Sequence, residues 1–259
     1  EEDLPELKKC LTALQQFARL VRQRRTKAGA VELEALDEVK IKLDESKEVK
    51  EIETKQDLEI HHTVAEWMIF ANSAVATKIY DCYPRSAILR RHPFPKLDNF
   101  KALIHVAESM GFTMKVDSNH ALADSLEKAV DPSDPYVNLL LRAMATKAME
   151  EAVYFSTGSF EPADFVHYGL ALQFYTHFTS PIRRYADILA HRMLLLAIEQ
   201  EKSNQAYQQL MEHKKLAQLC THLNERHRAS KLVQSDSSDW FRALYIRKKE
   251  NLIEDAIIY

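Results

Sequence analysis

Glycine is scarce in this chain of 259 residues, which has only 4, and proline adds just 8. With so little turn-forming material, a mostly helical chain with a few short strands is expected, an α+β fold. The 3 cysteines, Cys10, Cys82 and Cys220, are odd in number, far apart and without CxxC spacing, so they suggest neither a disulfide framework nor a zinc site. A reducing compartment fits that usage. There is no charged and apolar N-terminal signal pattern, and the most apolar helical stretch carries Glu66 and Asn72 at its centre, so no membrane span is expected. A large charge excess is also missing. The net charge of −3 argues weakly against a nucleic-acid partner, although clustered basic residues create local fields that outweigh the sum.

What is present belongs to a globular protein. The 46% hydrophobic and 28% charged content can bury a substantial core, as one large domain or two small ones. The chain starts Glu-Glu-Asp, which reads as a cut in a longer protein rather than a natural terminus.

The chain is organised around His167 to His191, HYGLALQFYTHFTSPIRRYADILAH. Ser180-Pro181 reads as a helix start, with Ser180 as N-cap and Pro181 at the first helical position, where its missing donor is not needed. Arg183 and Arg184 then fall in the first turn, where the macrodipole disfavours a cation by roughly 0.3 to 1 kcal/mol each. An anion would relieve that repulsion, and phosphate suits both the free backbone donors and the guanidinium groups. Asp187 and His191 lie one and two turns on, placed to hold the Arg183 guanidinium. The alternative is a capped core helix with ordinary surface arginines, since Ile182, Ala186, Leu189, Met193 and Leu196 follow the period of a buried stripe.

Along the rest of the chain, Leu4 to Lys27 reads as an amphipathic helix with Leu7, Leu11, Leu14, Ala18 and Val21 on one face and Gly29 as terminator. Its end carries Arg19, Arg22, Arg24, Arg25 and Lys27, either as favourable C-terminal charges or as phosphate contacts. Val39 to Leu43 alternates as a strand, with Glu45 to Lys55 as a partner or loop. Leu58 to Tyr83 reads as a helix buried nearly all round, in which Glu66 and Asn72 should each have a defined partner, because burying them without one costs several kcal/mol.

Leu89 to Pro95 reads as an extended linker, Leu97 to Met110 as a helix closed by Gly111, and Ala121 to Val130 as a short helix. A turn at Asp131 to Asp134 precedes a helix from Tyr136 to Glu150, followed by short strands at Ala152 to Ser156 and Val166 to Leu172. Gln205 to Ser230 reads as helical, with a basic end at Arg226, Arg228 and Lys231. From Trp240 the pattern becomes strand-like.

The central segment resembles the signature of the RNB domain of the RNase II and RNase R exoribonuclease family: His-Tyr-Gly-Leu, a spacer, Tyr-Thr-His-Phe-Thr-Ser-Pro-Ile-Arg-Arg-Tyr, then Asp and His at set spacing. The stretch HTVAEWMIFAN is similar to the family's Val-x-Glu-x-Met-x-x-Ala-Asn helix. The resemblance implies the C-terminal part of the catalytic domain over residues 1–236 and the first strands of an OB-fold barrel over 237–259. It also implies 3′-to-5′ hydrolysis of single-stranded RNA to nucleoside 5′-monophosphates.

In that comparison Arg183 is catalytic and Arg184, Glu66, Tyr175, His177, Tyr185 and Asn72 contact RNA. Ser180, Pro181, Asp187 and His191 give structural support. Magnesium is the implied cofactor, and no small-molecule cofactor is. The family's Asp-x-x-x-x-x-Asp-x-Asp-Asp cluster has no counterpart here, Asp131 and Asp134 being a poor substitute, so the metal ligands are expected upstream of residue 1. Gln234 stands near where bacterial members carry a glutamate. The helix around Glu66 looks closest to the eukaryotic exosome-associated branch, which implies the exosome core as partner and a cytoplasmic setting, with a nuclear one as the alternative. A noncatalytic RNA-binding or exosome-interaction module is the competing reading.

Overall fold

The structure is a computed structural model and describes residues 4–31, 39–46, 48–54, 58–199, 212–249 and 253. Contacts divide the chain into two compact units, Glu1–Leu36 with Leu58–Asn224, and Asp37–Asp57 with Glu225–Tyr259.

In the first unit, helix α1 (Leu4–Lys27) stops where Gly29 takes a φ of 97°. The Gly29 and Ala30 amides then turn back to the carbonyls of Thr26 and Arg25, so the expected terminator acts as such. The expected stripe is only partly covered. Ala18 is enclosed, while Leu7, Leu11 and Leu14 are exposed and, with Val64 and Trp67, line an open groove of about 740 Å³. The cause is polar. Arg19 pairs with Glu59 and Arg25 with Glu66, turning the Ala18, Arg22, Arg25 side of α1 toward its neighbour.

Helix α2 (Glu59–Cys82) is not buried all round either, because Val64 and Phe70 are exposed. Its enclosed side runs through Thr63, Glu66, Asn72, Ala76 and Ile79, so the two polar residues sit on the packed face.

A short antiparallel pair lies beside α2: β3 (Ile88–Arg91) against β4 (Val153–Ser156), with Ile88 opposite Ser156 and Arg91 opposite Val153. The expected linker at Leu89 is therefore strand up to Arg91, and Pro93 and Pro95, which cannot donate to a ladder, fall just beyond it. Ile79, Ile88, Leu89, Phe155, Leu189 and Met193 lead one apolar core shared with α6 (Tyr185–Glu199) and the start of α7 (His213–Lys248).

A second core gathers Phe100, Leu103, Leu122, Leu126, Leu141 and Tyr168 from a 3-10 turn (Leu97–Phe100), α3 (Lys101–Ser109), α4 (Asn119–Lys128) and α5 (Tyr136–Ala148). Ser118 caps α4 by accepting from the Ala121 amide at 3.1 Å. The strand expected at Val166 to Leu172 is instead a 3-10 turn (Tyr168–Leu170), with His167 forming single bridges to His92 and Leu172.

In the second unit, β1 (Val39–Leu43) and β2 (Val49–Thr54) form an antiparallel hairpin. The part of α7 from Glu225 belongs here, and it continues as helix through Trp240 to Lys248, where strands were expected. Gln205 to Met211 of the expected preceding helix, and most of the segment after Lys249, lie outside the described residues. Among the described residues no helix is long and apolar enough to cross a membrane.

Candidate functional site

The segment from Phe174 to Arg184 lies between α2, β3 and α6, and buried side chains hold it almost residue by residue. Ser73 of α2 donates its hydroxyl to the Phe174 carbonyl at 3.0 Å. The Arg90 amide donates to the Tyr175 carbonyl at 2.7 Å, and the Thr176 hydroxyl donates to the Ile88 carbonyl at 2.9 Å, extending β3 sideways. Asn72 accepts from the Phe178 amide at 2.9 Å and the Thr179 amide at 3.2 Å, while its own amide nitrogen donates to the Tyr175 hydroxyl at 3.1 Å. Asp187 of α6 accepts the next amide, that of Ser180, at 2.7 Å. Three successive backbone donors are thus satisfied by two buried side chains from two helices.

This arrangement changes where the helix begins. The Ser180 carbonyl accepts from the amides of both Arg183 and Arg184, each at 3.2 Å, closing a turn, and α6 starts only at Tyr185. Ser180 and Pro181 therefore open a turn rather than the helix, and Ile182, expected in the buried stripe, is 96% exposed. The capping direction is reversed, with a carboxylate inside the helix reaching back to the loop amide.

Asp187 does not hold Arg183. It takes a two-pronged contact from Arg184, Nε to Oδ2 at 2.8 Å and Nη2 to Oδ1 at 2.7 Å, and has no exposed surface of its own. His191 is also committed elsewhere. Its Nε2 lies 2.8 Å from the Phe178 carbonyl, so that nitrogen carries the proton, and the ring stacks on Phe178 at 4.1 Å. Arg183 is exposed, and among the described residues its guanidinium has no hydrogen-bond or ion-pair partner. Tyr185 stands next to it, half exposed.

Beneath the turn lies a layer of rings and buried cations. The Arg90 guanidinium sits 4.8 Å from the centre of the Tyr154 ring, and the Tyr154 hydroxyl meets His177 Nδ1 at 2.5 Å. Burial pushes the Tyr154 and Tyr175 hydroxyls above their ordinary range. His167 packs edge-on to Tyr175 and His92. Burial first, and then the charges of His92 and Arg90, bring its pKa down to about 3, so its imidazole is neutral. Glu66 is buried against Arg25, Nη2 to Oε1 at 2.5 Å and Nε to Oε2 at 3.3 Å, which supplies the partner its burial demands.

The expected site residues therefore separate. Arg183 and Tyr185 face solvent and His177 is half buried, whereas Glu66, Asn72, Tyr175 and Asp187 are enclosed and spend their polar groups on protein partners. Sequence reasoning passed over Tyr154 and took Arg25 for a C-terminal charge or a phosphate contact, not for the partner of Glu66. Arg90 and Arg25 carried only a generic basic-cluster signal, and Tyr154 had no signal beyond its place in a short strand. Chemically, the site presents one guanidinium on a fixed turn, suited to an anion. Among the described residues no group of three or more His, Cys, Asp or Glu side chains could hold a metal ion. The described residues do not fit magnesium.

The RNB domain family model matches residues 1–200. The chain is 43% identical over 233 residues to the exosome complex exonuclease dis3 of Schizosaccharomyces pombe, an alignment covering 89% of this chain and 24% of that protein. It thus spans about a quarter of the length of the curated relatives it matches. Among solved structures, the apo form of Mycoplasma genitalium RNase R superposes with a TM-score of 0.79 at 22% identity, covering 92% of this chain and 36% of that one. Yeast Ssd1, described as a pseudonuclease, superposes with a TM-score of 0.63 at 26% identity over 83% of this chain and 26% of that one.

Proposed function

The chain belongs to the RNB domain family, and on that premise we propose that it is the arginine-bearing part of a hydrolytic exoribonuclease that shortens single-stranded RNA from the 3′ end to nucleoside 5′-monophosphates. The observation that carries this reading is the turn at Ser180 to Arg184. The Ser180, Arg183 and Arg184 amides and the Arg184 side chain are consumed internally, and the turn offers the Arg183 guanidinium to an incoming anion. On a terminal phosphodiester, Arg183 would bind the phosphate oxygens and offset charge developing on them during attack by water. Tyr185 and His177 flank the turn as candidate RNA contacts. Glu66, Asn72 and Tyr175 act from below as supports.

The proposal for the whole protein includes magnesium, held by carboxylates outside residues 1–259. It also includes the exosome core as partner, in line with the naming of the S. pombe relative as an exosome exonuclease, and a cytoplasmic setting, which rests on the resemblance around Glu66 alone. Fractionation of cells and copurification of exosome subunits with the tagged protein test those two points.

Likeness to a pseudonuclease keeps a noncatalytic RNA-binding module as the competing outcome. The deciding experiment incubates the full-length protein with magnesium and a 5′-labelled single-stranded oligonucleotide. A ladder retreating from the 3′ end, with mononucleotide 5′-phosphates as products, supports the enzyme. Tight binding without shortening would establish the module instead, and internal cuts would contradict both.

A further inference from the structure

Asn72 belongs to α2, yet its hydrogen bonds leave the helix entirely. One oxygen accepts from two consecutive loop amides, Phe178 and Thr179, and the nitrogen reaches the Tyr175 hydroxyl, so the side chain grips the loop at two points. The next amide, that of Ser180, is held by Asp187, and the Ser180 carbonyl in turn closes the turn that carries Arg183. Asn72 is almost fully enclosed and both lone pairs of its oxygen are taken, so the side chain is closed to a ligand. With α2 packed against α6, the two side chains fix the start of the turn from both sides.

We propose that Asn72 is a positioning residue for Arg183, acting through the Phe178 and Thr179 amides and not through RNA. The inference rests on the exoribonuclease reading for its consequence in turnover, and on the hydrogen bonds alone for its consequence in structure. Without the Asn72 oxygen two partly buried amides lose their acceptor, and the loop shifts to find another. A guanidinium carried on that loop then leaves the place where charge develops. Ser73 provides the contrast. It is the adjacent α2 residue and bonds the same loop, but at Phe174, upstream of the segment that sets the turn.

The test uses Asn72→Ala, Asn72→Asp and Ser73→Ala in the full-length protein. Asn72→Ala is expected to lower kcat about a hundredfold with KM nearly unchanged, the size of loss that a misplacement near 1 Å produces. Asn72→Asp, which keeps an oxygen for the two amides, is expected to restore most of that loss, and Ser73→Ala to leave kcat near wild type. In an Arg183→Lys background, Asn72→Ala should add little, because the two changes damage one function. Amide hydrogen exchange at Phe178 and Thr179 provides a readout independent of turnover, with faster exchange in Asn72→Ala and protection retained in Ser73→Ala.

Unchanged exchange at those two amides in Asn72→Ala would overturn the proposal, whatever the activity. So would losses that multiply in the Arg183→Lys background, or a kcat for Ser73→Ala as low as that for Asn72→Ala. A wild-type protein that leaves RNA intact would instead overturn the exoribonuclease reading, with the exchange result still deciding the role of Asn72.

Discussion

Arg184 donates two hydrogen bonds to a carboxylate with no exposure, whereas Arg183, one residue earlier, faces solvent. Removing Arg184 strands a buried charge. Arg184→Ala is expected to cost about 3 kcal/mol in stability, and Arg183→Ala less than about 0.5, as read from urea midpoints at constant m. The same pair should reverse in turnover. Arg183→Lys keeps charge but loses the planar fork, and in the full-length protein it is expected to lower turnover about a hundred- to a thousandfold in single-turnover decay.

His167 adds a pH dependence at this scale. Its folded pKa of about 3 lies below its ordinary 6.5, so the unfolded chain binds the proton more readily. Its contribution to stability is complete above pH 6.5 and declines as pH falls from there toward 3. The slope approaches about 1.4 kcal/mol per pH unit in that window. His92, also lowered chiefly by burial, works in the same direction. Urea melts of His167→Phe between pH 7 and 4 should therefore show a flatter stability profile than the wild type.

At the scale of elements, the docking of α1 on α2 depends on a buried charge pair inside an aromatic frame. Phe17 stacks on Trp67 at 4.6 Å, the Trp67 indole donates to the Leu14 carbonyl at 3.1 Å, and Arg25 meets Glu66 two turns further along α1. Burying both charges has a desolvation cost that only the pair offsets. Arg25→Met is thus expected to destabilise the protein by about 3 to 5 kcal/mol, while Arg25→Met with Glu66→Met recovers most of that loss. Thermal or urea unfolding of the two single variants and the double variant checks this. A double variant no better than the worse single one would mean that Glu66 does more than answer Arg25.

For the molecule as a whole, the basic clusters matter through the charges they have left to offer. Arg19 and Arg25 are spent on Glu59 and Glu66, while Arg24 and Lys27 are exposed at the end of α1. Binding of single-stranded RNA should weaken as salt rises. Replacing Arg24 or Lys27 by alanine should reduce the log–log slope by about 0.7 for each phosphate that is no longer neutralised, and Arg19→Ala should barely change it. Fluorescence anisotropy between 50 and 200 mM salt, a range over which phosphate-driven binding weakens by orders of magnitude, measures the slopes. A slope unchanged by the Arg24 and Lys27 variants would remove the end of α1 from the RNA-binding surface.

Short-range signals were legible in the sequence. The α1 terminator at Gly29, the turn at Asp131 to Asp134, the β1 strand and helices α2, α4 and α5 were placed by residues within a few positions of each boundary. The need of Glu66 and Asn72 for partners also followed from their surroundings. Which partner each charge takes was decided only by tertiary structure. Asp187 joins Arg184 and not Arg183, α6 starts at Tyr185 and not at Ser180, and Arg25 of α1 joins Glu66 of α2. Trp240 to Lys248 continues a helix although its pattern resembles strand. The physical reason is reach. A cap or a turn is closed by atoms a few residues apart, whereas a buried charge or amide is satisfied by whatever a distant element brings within about 3 Å.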